Sequence, residues 1–362
     1  MTTPAILRHA ALAAFAWALT AMTLSAMTAS AAERAPGERP LIAIVATGGT
    51  IAMKNDPATG APVPALSGAD LVAAVPKLAD LARIEVTEFS NVPSDYMGPE
   101  LWPGLSRQVD ALLARPEIAG AVVLHGTDTL DQTAYFLDLT LRSTKPVVMV
   151  GAQRNASDAD ADGSRNLLNA VRQILSPDSG DMGVTVTLNH HINAAREVRK
   201  THTNNVETFN SGDAGTLGYV DEDRVIFSRK SLRRQTLPLP ERMPRVDLVS
   251  MSAGTDGAQV RQSADGGASA IVVAAYGFGN VNAPMYDAIQ YAIAKGVPVI
   301  VATKVYNGRA LPVYGFKGGG NTLLKAGAVF ADDLTPDKAR VLALLAVPRT
   351  KDRAALQTYY DK

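Results

Sequence analysis

From Leu41 the chain runs Leu-Ile-Ala-Ile-Val-Ala with no polar position and then meets Thr47-Gly48-Gly49-Thr50. An unbroken apolar run stopped by paired glycines predicts a strand buried on both faces of a parallel sheet. The pattern returns at residues 120–124, which end in His125-Gly126-Thr127-Asp128-Thr129, at residues 145–150, closed by Gly151-Ala152-Gln153-Arg154, and at residues 182–188. Residues 84–89 alternate apolar and polar and read as a further strand, delivering residues 91–97 to a loop. Between these strands, apolar spacing predicts helices over 67–75, 101–113, 130–141 and 164–175. Residues 53–64 are too rich in Pro, Gly and Asn for helix or strand, and read as a loop, either a mobile lid or plain surface.

Residues 231–245 are basic and carry Pro238, Pro240 and Pro244, the signature of a linker. Beyond them the alternation restarts, with strands at 246–251, 270–275 and 297–303 and helices at 283–295, around Leu323, at 335–345 and at 353–360. The predicted fold class is α/β: two open, mostly parallel, doubly wound domains. The larger covers residues 41–230, the smaller residues 246–362, and residues 231–245 join them.

Ahead of the first strand, Arg8 and His9 precede an apolar stretch over 10–27, and Ala29-Ser30-Ala31 offers the small-x-small site of a secretory leader. Residues 1–31 are therefore expected to be a signal peptide of a periplasmic or secreted protein. A retained membrane anchor fits less well, because the stretch is short and alanine-rich. Lys and Arg total 35 and Asp and Glu total 35, so no net field favours nucleic acid or an anionic membrane, and a small neutral or zwitterionic partner suits the chain better. The absence of cysteine removes disulfides, thiolate nucleophiles and cysteine-ligated metals. The five histidines lack ligand spacing, and the glycine and glutamate of a calcium loop are misplaced around Asp158, Asp160 and Asp162. Neither a metal nor a cofactor is expected.

That leaves hydroxyl chemistry. Open parallel sheets work beyond the carboxyl ends of their strands, where Thr50 and Thr127 arrive together. A threonine hydroxyl is a poor nucleophile at neutral pH and needs a partner that draws its proton away. Asp128 and Lys200 could supply it: a lysine drawn into the crevice accepts a proton while the aspartate fixes its position. Read locally, Thr129 with Gln132 forms a capping box for the following helix, or Asp128 is itself the cap. A lysine such as Lys200, taken in isolation, is more often solvated than buried.

At Ala46–Ala52 and His125–Thr129, with Asp162-Gly163, Asn166-Leu167 and Val198-Arg199-Lys200-Thr201 in order, the sequence resembles the bacterial asparaginase/glutaminase amidohydrolases from about Leu41 to the C-terminus. The resemblance implies hydrolysis of the side-chain amide of L-asparagine, with L-glutamine as a second substrate, through an acyl-enzyme on Thr50. It further implies proton transfers through Thr127, Asp128 and Lys200, and an oxyanion resting on amides near Thr127 and Gly49. Ser94 would bind the substrate α-carboxylate, and Asp128 with Asp95 the α-ammonium. A homo-oligomer of two or four subunits is implied as well. Exported members carry a lid tyrosine, which residues 53–70 lack; Tyr96 is the nearest substitute. They also receive an asparagine and a glutamate from a neighbouring subunit; residues 250–256, which match the first, lack the asparagine, and residues 314–321 lack the glutamate and look more like the cytoplasmic branch. Two other readings are an amidohydrolase for a different amide and a periplasmic amino-acid-binding protein of two α/β domains.

Overall fold

The computed structural model describes residues 38–362. The expected signal peptide lies outside the described residues. Sixteen strands occur among those residues, in chain order: β1 (Leu41–Ala46), β2 (Met53–Asn55), β3 (Pro62–Pro64), β4 (Arg83–Glu88), β5 (Ile118–Leu124), β6 (Val147–Val150), β7 (Val184–Leu188), β8 (His191–Ala194), β9 (Arg199–Lys200), β10 (Phe209–Asn210), β11 (Gly218–Val220), β12 (Val225–Phe227), β13 (Val246–Ser250), β14 (Ala270–Ala275), β15 (Val299–Thr303) and β16 (Val329–Phe330). The large sheet has the order β12-β11-β8-β7-β6-β5-β1-β4, and β13-β14-β15-β16 form a smaller, wholly parallel sheet.

The apolar run at β1 is buried for the reason its sequence gave. Ile42, Ile44 and Ala46 pack on one side of the sheet with Leu71 and the helix Gly163–Leu175, while Ala43 and Val45 pack on the other with the helices Trp102–Leu113 and Leu130–Thr140. Alternate residues of β5 divide the same way, Val122 and Leu124 against Ala121 and Val123. A strand covered by helices on both faces has no position left for a polar side chain.

β1, β4, β5, β6 and β7 pair in parallel, with Ala46 level with Leu124 at the carboxyl ends of neighbouring strands. The far edge departs from the predicted alternation, since β7–β8, β8–β11 and β11–β12 are antiparallel. In the smaller sheet, Ile271, Val273, Val299 and Val301 face the helices Ala258–Asp265 and Ala283–Ala294. Ala270, Val272, Ile300 and Ala302 join the cluster that holds the helices Leu130–Thr140 and Pro336–Ala346, so one apolar core runs from the first sheet into the second.

Three local expectations are corrected. Residues 53–64 are not structureless: β2 and β3 form a two-stranded hairpin, with Met53 opposite Pro64 and Asn55 opposite Pro62. Prolines are tolerated there because an outer strand has amides that need no ladder partner. Thr129 does stand at the N-cap of the helix Leu130–Thr140, but it makes no capping box. Its hydroxyl donates instead to the Ser94 carbonyl at 2.7 Å, so neither it nor Asp128 caps that helix through its side chain. The helix Ala258–Asp265 was not expected at all.

Candidate active site

Thr47 ends β1 by spending its hydroxyl and its amide on the Leu124 carbonyl of β5, at 2.8 and 3.0 Å. Gly48 and Gly49 follow with φ of 104° and 87°. Both are needed sterically. A Cβ on Gly48 would lie 2.5 Å from the Val92 amide nitrogen, and one on Gly49 would lie 2.2 Å from the Gly126 Cα. Glycine facing glycine lets the loops after β1 and β5 touch backbone to backbone, and the next residues on the two loops are Thr50 and Thr127. Thr50 opens a short 3-10 helix over Thr50–Ala52 and is half-buried; its hydroxyl makes no hydrogen bond among the described residues.

Thr127 is buried and occupied on both sides. Its hydroxyl accepts from Lys200 Nζ at 2.9 Å and donates to Gln153 Oε1 at 2.9 Å. Lys200, on the two-residue strand β9, also donates to Asp128 Oδ1 at 2.6 Å. The lysine side chain is 17% exposed and the aspartate 64%, so the pair opens toward solvent on its carboxylate side. Ser94 is buried over the same junction, its Oγ 2.8 Å from where a Cβ on Gly126 would stand. Gly49, Thr50, Ser94, Thr127, Asp128 and Lys200 are thus gathered at the carboxyl ends of β1 and β5. Asp95 is different: it is exposed and makes no hydrogen bond or ion pair among the described residues. Tyr96, at 71% exposed, projects into solvent.

Two polar groups behind this cluster were not anticipated as parts of it. Gln153 reaches from Thr127 to the Asn205 carbonyl at 3.1 Å and tethers the loop that follows Lys200. Its own backbone is fixed by Asp162, whose buried carboxylate accepts from the amides of Gln153 and Arg154 and from Asn166 Nδ2 at 2.9–3.1 Å. The acidic chain around Asp158–Asp162 therefore uses its last carboxylate as a hydrogen-bond anchor. No metal-binding cluster of His, Asp or Glu occurs among the described residues.

His125, at the end of β5, is fully buried. Its Nδ1 lies 2.7 Å from the Gly126 carbonyl, which can only accept, so that nitrogen carries the proton. Nε2 has no partner among the described residues. Burial pushes the imidazole down to about 4, opposed only by the bond to Gly126. The group stays neutral beside the cluster.

Fold and site together define a two-lobed α/β enzyme whose polar groups converge at the carboxyl ends of a parallel sheet. The family descriptions "Asparaginase, N-terminal" and "Glutaminase/Asparaginase C-terminal domain" match residues 41–233 and 245–360. The chain belongs to the asparaginase family of amidohydrolases. It is 35% identical over 330 residues to a probable periplasmic L-asparaginase of Haemophilus influenzae, spanning 89% of this chain and 93% of that protein. It is 33% identical over 328 residues to the glutaminase-asparaginase of Pseudomonas fluorescens biotype A, spanning 88% of this chain and 89% of that protein. A solved structure, a probable cytoplasmic L-asparaginase from Campylobacter jejuni, superposes with a TM-score of 0.82 at 35% identity and covers 90% of this chain and all of its own.

Proposed function

We propose that the protein hydrolyses the side-chain amide of L-asparagine to L-aspartate and ammonia, with L-glutamine as a second substrate, through an acyl-enzyme on Thr50. The observation that carries this reading is the continuous hydrogen-bonded line from Asp128 through Lys200 to Thr127, laid against the glycine contact that brings the Thr50 loop alongside. Thr50 is the hydroxyl left without a protein partner, whereas Thr47 and Thr127 are engaged. In the first half-reaction the Thr50 oxygen bonds to the amide carbon and its proton enters the Thr127–Lys200–Asp128 network. The C–N bond then breaks, and ammonia leaves with that proton. Water repeats the attack in the second half, forming the acid and restoring the hydroxyl. Backbone amides near Gly49 and Thr127 receive the oxyanion, an arrangement in which one donor is typically worth about 3 kcal/mol.

Ser94 holds the substrate α-carboxylate in this scheme, and Asp128, its side chain 64% exposed, the α-ammonium. Ammonia release from L-asparagine and L-glutamine tests the scheme: Thr50→Ala and Thr127→Ala should each lose at least 10³-fold in kcat, a loss typical of removing a nucleophile or its proton path. Full activity in either variant refutes that residue's role.

The exposed group Phe278, Val305, Tyr314 and Phe316 on the smaller lobe supports a homo-oligomer, which light scattering tests by whether the mass exceeds one chain. Export follows from the leader pattern, and a mature chain whose sequenced N-terminus still begins at Met1 would refute it.

A further inference from the structure

Lys338 lies on the helix Pro336–Ala346 of the smaller lobe, far in sequence from every residue of the site, and its side chain is fully buried. An ammonium has three donors, and here all three are used on one turn of the larger lobe. They go to the carbonyls of Ala195 at 2.8 Å, Arg196 at 3.1 Å and Val198. That turn leads directly into β9. Val198 is followed by Arg199, whose guanidinium rests 4.4 Å from the Tyr306 ring centroid, and then by Lys200.

The other side of the same ammonium faces the helix Leu130–Thr140, which begins immediately after Thr127-Asp128-Thr129. Lys338 Nζ stands 6.0 Å from the Tyr135 ring centroid, and the Asp131 carboxylate in the first turn of that helix is its principal opposite charge. The charges of Arg196 and Glu197 on the turn and of Arg199 on β9 also act on it. One buried charge therefore holds the segment carrying Lys200 and neighbours the helix carrying Thr127 and Asp128 at its head. Burial pushes Lys338 down to about 7, opposed chiefly by the Asp131 carboxylate. A methionine would fill this apolar core without desolvating a charge, but it would leave the carbonyls of Ala195, Arg196 and Val198 without the donor that draws them together.

We propose that Lys338 is a positioning residue for the reaction, holding the turn before β9 so that Lys200 keeps its bonds to Thr127 and Asp128. The proposal rests on the reading of Lys200 given above, and kinetics can separate the two. Ammonia release from L-asparagine is measured for the full chain, Lys338→Met, Lys338→Arg and Lys200→Met, with kcat normalised to the folded fraction by near-ultraviolet circular dichroism. Lys338→Met should lose at least tenfold in kcat with KM within twofold of wild type. Lys338→Arg, which keeps the charge, should recover part of that loss. A loss that vanishes on normalisation, or one carried by KM alone, overturns the inference. Should Lys338→Met fail to fold, Lys338→Arg decides, because a fixed guanidinium plane cannot reproduce three converging bonds: a reduced kcat at unchanged KM supports the inference and wild-type kcat overturns it. Wild-type kcat in Lys200→Met would instead refute the reading of Lys200 itself.

Discussion

Gly49→Ala is the substitution for which the geometry gives the sharpest expectation. The residue has φ 87° and ψ −177°, a region that is essentially glycine's alone and costs another residue about 1–3 kcal/mol. The added Cβ would also meet Gly126 Cα at 2.2 Å and Gly126 N at 2.3 Å, where real contacts stay beyond 3.0 Å. Both obstacles are backbone, so no side chain can swing aside. Overpacking of this kind costs a further ~1–3 kcal/mol, and together the two effects amount to about 4 kcal/mol. The only relief is for the two loops to part, which moves Thr50 away from Thr127. A displacement near 1 Å in a reacting group costs about 10²-fold in rate.

The assay is urea unfolding alongside ammonia release. Gly296→Ala serves as the comparison, being exposed at φ 75° with no atom within 4 Å of the new Cβ. It should lose about 1 kcal/mol, the backbone penalty alone, and none of its turnover. If Gly49→Ala matched Gly296→Ala in both stability and rate, the claim that this glycine contact holds the site together would be wrong.

Two further expectations concern the supports of the cluster. His125 titrates at about 4 when folded against 6.5 when free, so between those values the unfolded chain binds a proton that the native one refuses. Stability is therefore intact above pH 6.5 and falls as the pH drops toward 4. About 2 kcal/mol should be lost between pH 7 and pH 5, measured by urea midpoints, and His125→Gln should flatten that slope; an unchanged slope would sink the assignment. Asp162→Ala would strand the amides of Gln153 and Arg154 and one proton of Asn166, for about 3 kcal/mol of stability. It should also lower turnover, by loosening the Gln153 that bonds Thr127. Asp162→Asn, still an acceptor, should recover most of both, and equal losses in the two variants would exclude this role.

Strands β1, β5, β6 and β7 were legible because each is buried on both faces and so tolerates only apolar residues. The helix Ala258–Asp265 was hidden by the opposite circumstance. It is short, is enclosed by Gly254, Gly257, Gly266 and Gly267, and buries only Val260, Ser263 and Ala264. Its place is set by the neighbouring helix Ala283–Ala294, against which Gly257 packs with its missing Cβ 2.6 Å from the Ala288 methyl position. The antiparallel edge was hidden by its turn. Asn189 and His190 join β7 to β8 with φ of 46° and 69°, a two-residue hairpin turn that usually announces itself as Asn-Gly or Asp-Gly. Histidine in the second position carries no such signal.

The same division runs through the site. Gly49, Thr50, Thr127 and Asp128 sit where apolar strands stop, so their position follows from local pattern, and the parallel pairing of β1 with β5 makes them neighbours. Lys200 has no such address. It lies on a strand of two residues, and only the family resemblance distinguished it from a solvated lysine. The structure holds it by bonds to groups 72 and 73 residues away, with Gln153 and Lys338 tying down the chain on either side of it. A glutamine after Gly-Ala and a lysine in a largely buried helix have no spacing that betrays them, because each grips a backbone carbonyl that any residue could supply. What a sequence hides in this fold is therefore less the reacting groups than the polar side chains that grip the backbone around them. Those are the positions where a substitution leaving every proposed site residue intact should still impair turnover.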